Sequence, residues 1–175
     1  MVLLKALAIL VVQLLHIGQL SLARKSWHRH WSEKARHNSE MCTCVSGRKV
    51  GAIIVTPDNR TLSDGFNGVP VGYPHPTICP RIEKGIPSGQ CLDMCPCAHA
   101  ESNAIDNAAR SGTCIKGSYL YCTTKPCVTC MARIANAGIV KVFYQDEYSH
   151  ELTDSIAKYA NIELININGI ISENN

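Results

Sequence analysis

The chain carries little net charge. A formal +3 over 175 residues leaves no clustered basic field of the kind that grips a phosphate backbone, so nucleic acid is not an expected partner. A small phosphorylated ligand remains compatible with it. No internal repeat and no low-complexity stretch is present, which excludes solenoid and propeller arrays. A clean membrane-length apolar run is also lacking. Residues 1–23 are strongly apolar, but Gln13, His16 and Gln19 interrupt them, and each is costly in hydrocarbon. With Lys5 near its start and small residues near Ala23, the segment resembles a secretory signal peptide. A membrane-proximal helix and a start codon placed too early are the other readings. Export would make Asn59-Arg60-Thr61 a glycosylation acceptor, although such triplets are common by chance. The length suits one domain, over 24–175, behind the leader at 1–23.

What the chain has in abundance is cysteine. There are ten: Cys42, Cys44, Cys79, Cys91, Cys95, Cys97, Cys114, Cys122, Cys127 and Cys130. A domain of this size needs no disulfide staples. Several are grouped as C-x-C or C-x-x-C near histidines, a pattern that fits metal binding better than a disulfide framework. Thiolate metal sites favour a reducing compartment, so a cytoplasmic location is expected, with export or membrane association through residues 1–23 as the alternative.

Trp27, Trp31 and Ala35 are spaced four apart, share one helical face and predict a helix over about 26–41. The apolar run 49–56 predicts a buried strand, and turn residues Pro57-Asp58-Asn59 lead to a weaker strand over 60–66, giving a hairpin. Residues 67–97 read as a long loop with most of the prolines and four of the ten cysteines. A loop of that length needs function or a metal to order it. Beyond it come a helix over 99–109, a strand over 118–124, a helix over 127–137 closing at Gly138, a strand over 139–144, a short helix over 154–160 and a strand over 162–167. Hairpin first and alternating strands and helices after it imply an α/β fold: a three-layer α/β/α sandwich on a mixed sheet of about five strands, antiparallel at its start and parallel in its continuation.

Two pieces carry chemistry: His99-Ala100-Glu101 and Pro126-Cys127-Val128-Thr129-Cys130. Each opens a predicted helix. Proline is tolerated at a helix start, where its missing N–H is not needed. Cys127 and Cys130, three apart, turn their sulfurs to one side, and a helix N-terminus favours thiolates. One imidazole and two thiolates make three zinc ligands and leave the fourth tetrahedral position open, the arrangement of a catalytic zinc. Glu101, two residues from His99, can share that site without being a ligand and carry protons. The order H-x-E … P-C-x-x-C is the signature of zinc-dependent nucleobase deaminases.

The chain resembles the deoxycytidylate (dCMP) deaminases of the cytidine/deoxycytidylate deaminase family. RKVGAIIV, GFNGVP, CPR…GIPSG, CAHAESNAI, YCTTKPCVTC and AGIVKVFY, from about Cys44 to Tyr148, look like that family's motifs. The resemblance implies the cytidine deaminase-like fold and hydrolysis of dCMP to dUMP with release of ammonia. It also implies that Asn67 bonds the sugar, that Ala100 and the stretch around Thr124 grip the pyrimidine edge, and that Arg48 or Lys49, with Tyr148, serve the 5′-phosphate. Cationic or N–H donors are what a phosphate needs, although Arg48 and Lys49 also read as an ordinary charged strand end. A second, structural zinc is implied from Cys44, Cys79 and Cys95, with Cys97 as fourth ligand and Cys42 or Cys91 as competitors. Homo-oligomers are implied too, with dCTP and dTTP as allosteric effectors in some relatives. The apolar leader is a departure from the family. Cytidine or tRNA adenosine as substrate, and a non-catalytic zinc module, are the rival readings.

Overall fold

The computed structural model describes residues 24–44, 48–87, 90–148 and 150–172. The apolar leader lies outside them. Among the described residues no helix is long and apolar enough to cross a membrane.

Trp27–Ser39 forms α1. It starts at Ser26, whose hydroxyl accepts from the Arg29 N–H at 3.2 Å; such a cap satisfies one of the orphan donors of a first turn. Gly51–Val55 (β1) and Thr61–Phe66 (β2) pair antiparallel as the expected hairpin. Then come Pro80–Glu83 (α2), Ala100–Arg110 (α3), Tyr119–Thr124 (β3), Val128–Asn136 (α4), Lys141–Asp146 (β4), Glu151–Tyr159 (α5), Glu163–Asn166 (β5) and Asn168–Ser172 (α6). The sheet runs β2-β1-β3-β4-β5. β1 and β3 are antiparallel, while β3, β4 and β5 are parallel, with α4 and α5 supplying the crossovers that parallel pairing requires.

The sheet is covered on both faces, and its inner strands alternate between two cores. Ala52, Ile54, Leu120, Cys122 and Val142 pack with Ala104 of α3, Met131 and Ile134 of α4 and Ala157 of α5. Ile53, Val55, Tyr121 and Phe143 pack on the opposite face with Trp31 of α1 and Ile167. Every residue of β1 is therefore buried, which is why it reads as a continuous apolar run without alternation. Asn59, first residue of the acceptor triplet, takes φ 66° and accepts from Trp31 Nε1 at 3.1 Å, so its amide already anchors the hairpin turn to α1.

Three differences from the sequence expectation matter. The stretch 67–97 is not wholly irregular: it contains α2, a 3₁₀ turn at Leu92–Met94 and a bridge between Gly68 and Ala98. The helix over 154–160 starts earlier, at Glu151, because the His150 ring accepts from Leu152 N–H at 3.3 Å. α6 lies beyond the last predicted element, being only five residues long with no periodicity to read.

What positions the site is the clamp of α3 on β2. Asn103 and Asn107, one helical turn apart, donate from Nδ2 to the carbonyls of Phe66 (2.7 Å) and Asp64 (2.9 Å). Ser63 Oγ donates to the carbonyl of Ala104 at 2.7 Å. Helix and strand approach so closely that a Cβ at Gly65 would stand 2.4 Å from the carbonyl oxygen of Ala100. Gly65→Ala is accordingly expected to destabilise the chain by roughly 1–3 kcal/mol through overpacking. At Gly169 a Cβ meets nothing within 4 Å, so Gly169→Ala is expected to shift stability by less than about 0.5 kcal/mol. Urea unfolding midpoints separate the two, and an unmoved midpoint for Gly65→Ala would mean the helix does not need this approach.

Candidate active site

Two helix starts meet at one end of the sheet. The bridge that pairs Gly68 N–H with the Ala98 carbonyl (3.1 Å), and Ala98 N–H with the Gly68 carbonyl (2.8 Å), delivers the chain to His99. His99 is the N-cap of α3 and Cys127 the N-cap of α4. Both therefore sit one residue ahead of the first turn where the sequence placed them. At both caps the backbone is still extended, and neither side chain is spent on a cap hydrogen bond. Cys130 follows in the first turn of α4, buried.

His99 Nδ1 lies 3.3 Å from Cys127 Sγ and 3.3 Å from Cys130 Sγ, and the three donors lie within 4.8 Å of one another. A tetrahedral zinc, with bonds of about 2.1–2.3 Å, has ligand–ligand edges of roughly 3.6 Å, so this donor set suits that ion. Glu101 is 4% exposed and its Oε2 is 3.6 Å from Cys130 Sγ. Hydrogen bonds from Cys130 and His99 hold the Cys127 thiol down to about 4, and the same Cys127 partner raises His99. Burial pushes the Glu101 carboxyl up. A thiol already inclined to lose its proton beside an imidazole is a favourable starting point for a cation, since metal binding displaces such protons.

A cavity of about 210 Å³ opens over this group. Of the sequence candidates, Arg48, Asn67, Ala100, Thr124 and Tyr148 line it, and Lys49 does not. Asn67 is already engaged: its Oδ1 accepts from Val50 N–H at 2.7 Å and its Nδ2 donates to the Arg48 carbonyl at 2.9 Å. It ties the start of β1 to the end of β2 and keeps one amide hydrogen free for a ligand. The Arg48 guanidinium stands 6.0 Å over the Tyr148 ring. Two further cations line the cavity, Arg81 and Lys125. Sequence reasoning assigned neither a role, although both sit inside motifs it singled out, CPR and TTKPC.

A second cluster borders the same cavity. Cys44, Cys95 and Cys97 bring their sulfurs within 4.8 Å of one another. Cys79 is buried and close enough to act electrostatically on Cys95, but its sulfur does not share that mutual spacing. Cys42 and Cys91 stay outside the cluster as well; Cys42 turns its sulfur to the backbone N–H of Cys44 at 3.3 Å. None of the ten cysteines is disulfide-bonded.

Residues 25–146 match the family described as the cytidine and deoxycytidylate deaminase zinc-binding region. The chain is 35% identical over 144 residues to a deoxycytidylate deaminase of Schizosaccharomyces pombe, an alignment covering 81% of this chain and 44% of that protein. It is 32% identical over 131 residues to a deoxycytidylate deaminase of Mycobacterium phage D29, covering 72% of this chain and 99% of the phage protein. It thus spans less than half the length of the yeast relative and nearly all of the phage one. Among solved structures, the dCMP deaminase of cyanophage S-TIM5 in complex with dCMP and dUMP superposes with a TM-score of 0.64 at 32% identity, over 78% of this chain and 93% of that one.

If His99, Cys127 and Cys130 hold the ion, Cys130→Ser lowers the zinc retained per chain by one. Cys114→Ser, at an exposed thiol outside both clusters, leaves the content unchanged. Elemental analysis after dialysis checks both.

Proposed function

The chain belongs to the cytidine and deoxycytidylate deaminase family, and on that premise we propose that it hydrolyses dCMP to dUMP and ammonia, in a zinc-dependent reaction that supplies dUMP for thymidylate synthesis. The observation that carries the proposal is the convergence of His99, Cys127 and Cys130 at two helix starts, with a buried carboxylate beside them at a ligand-sized cavity. A zinc ion held by these three donors supplies Lewis-acid activation of the attacking water. Glu101 takes the proton that water gives up, passes it to the ring nitrogen and assists departure of the amino group as ammonia. Its burial favours holding a proton between those transfers. The Ala100 backbone and Thr124 face the pyrimidine edge, the remaining amide hydrogen of Asn67 serves the sugar, and Arg48 with Tyr148 stands toward the phosphate. Support for dCMP over cytidine comes from the names of the relatives and from the cations lining the cavity.

The same premise extends to a second, structural zinc. Cys44, Cys95 and Cys97 supply three sulfurs at ligand spacing, and Cys79, buried and close enough to act on Cys95, is the fourth donor of the proposed site. Burial pushes the Cys95 and Cys97 thiols up, so an unmetallated cluster is a crowd of neutral thiols. A closed four-sulfur site would brace the long segment that leads into His99. Such thiolate sites fit a reducing compartment such as the cytoplasm.

Ammonia release from dCMP, cytidine, dCTP and a tRNA anticodon stem distinguishes the substrate. dCMP is expected to be turned over with the highest kcat/KM, and cytidine or the tRNA leading would replace the substrate assignment. Glu101→Gln is expected to lower kcat by about 10²–10⁴-fold with the zinc retained. An unchanged rate would refute the proton-carrying role. Cys97→Ser is expected to take zinc from two per chain to one, and a wild type holding one zinc rules out the structural site.

A further inference from the structure

Arg81 is the cavity residue whose chemistry is least accounted for. It sits in α2, within the cysteine-bearing segment, and lines the same cavity as His99 and Glu101. It is 9% exposed. A guanidinium taken that far from water needs either a carboxylate or a full set of acceptors to offset desolvation. Arg81 has neither. Its Nη2 donates to the Pro87 carbonyl at 2.7 Å, its Nε is buried with no hydrogen-bond partner, and no carboxylate pairs with it among the described residues.

The other two cations of the cavity differ. Lys125 Nζ is neutralised by Asp154 at 2.8 Å. Arg48 is exposed at the rim, over the Tyr148 ring. Arg81 alone among them is buried, fixed and lacking a counter-charge. It is also held from two sides: its carbonyl accepts from Ile86 N–H at 2.8 Å while its guanidinium bonds Pro87. The loop thus holds the fork in place before any ligand arrives, which limits the ordering cost of binding.

We infer that Arg81 is a specificity-determining residue that pairs with the 5′-phosphate of the nucleotide. The inference rests on the deaminase proposal above. A planar fork with free N–H groups matches phosphate oxygens better than any other side chain, and a phosphate supplies the missing counter-charge. It also gives the segment around Cys79 to Cys97 a role in substrate choice: the loop that braces His99 carries the group that selects a nucleotide over a nucleoside.

The test uses the full zinc-loaded chain and the ratio of kcat/KM for dCMP to that for deoxycytidine, which lacks the phosphate. In Arg81→Gln this ratio is expected to fall by about 30-fold, the worth of a charge-assisted hydrogen bond, with the loss mainly in KM for dCMP. Arg81→Lys keeps the charge but not the fork and should recover part of it. A wild type that does not turn over dCMP removes the deaminase proposal, and this inference with it. A wild type that does, with an unchanged ratio in Arg81→Gln, overturns the inference alone. Loss of zinc or of folding in both variants also overturns it, since Arg81 would then serve the loop and not the nucleotide.

Discussion

The contact of α3 with β2 is the constraint on which the rest of the structure depends. His99 caps α3 and Glu101 lies in its first turn, so any tilt of that helix moves the proposed metal donor and the proposed proton carrier together. Three side-chain to backbone hydrogen bonds from Ser63, Asn103 and Asn107 fix its register, and Gly65 allows the two backbones to touch. The price of this arrangement is a strand position that accepts no side chain.

The other half of the donor set arrives on an independent element. α4 begins where β3 ends, and β3 is the strand at which the sheet changes from antiparallel to parallel. The site therefore lies at the carboxyl end of β3, beside the start of its antiparallel neighbour β1. Gly51 N–H reaches the Thr123 hydroxyl at 3.2 Å, which draws the start of β1, and with it Val50 and Arg48, to the cavity. Ligand crevices at the strand ends of α/β sheets, where connectivity changes, are a general consequence of such topologies.

The segment between Asn67 and Ala98 is where fold and proposed function are hardest to separate. It contributes Cys79, Arg81, Cys95 and Cys97, and it returns to the sheet through the Gly68–Ala98 bridge immediately before His99. Few of its residues pack into either core; short local turns and the bridge to Ala98 give it its backbone hydrogen bonds.

Trp27–Ser39 was legible in the sequence because burial on one helix face leaves a repeating pattern, and Gly51–Val55 because a strand covered on both faces leaves an unbroken apolar run. That His99, Cys127, Cys130 and Glu101 would converge was legible because the metal and proton chemistry proposed for them admits few residue types at few spacings. The sequence could not show that His99 and Cys127 would be caps, because a cap is defined by the first hydrogen bonds of its helix and not by its own identity. Nor could it decide which cysteines cluster. Cys44 lies fifty-one residues from Cys95, and only the closing of the segment onto the strand ends gathers Cys44, Cys95 and Cys97 and leaves Cys79 out of their mutual spacing. Arg81 shows the same division. Its presence in a CPR motif carried no sign of its burial. The missing counter-charge is a property of its surroundings, and only the folded chain has surroundings.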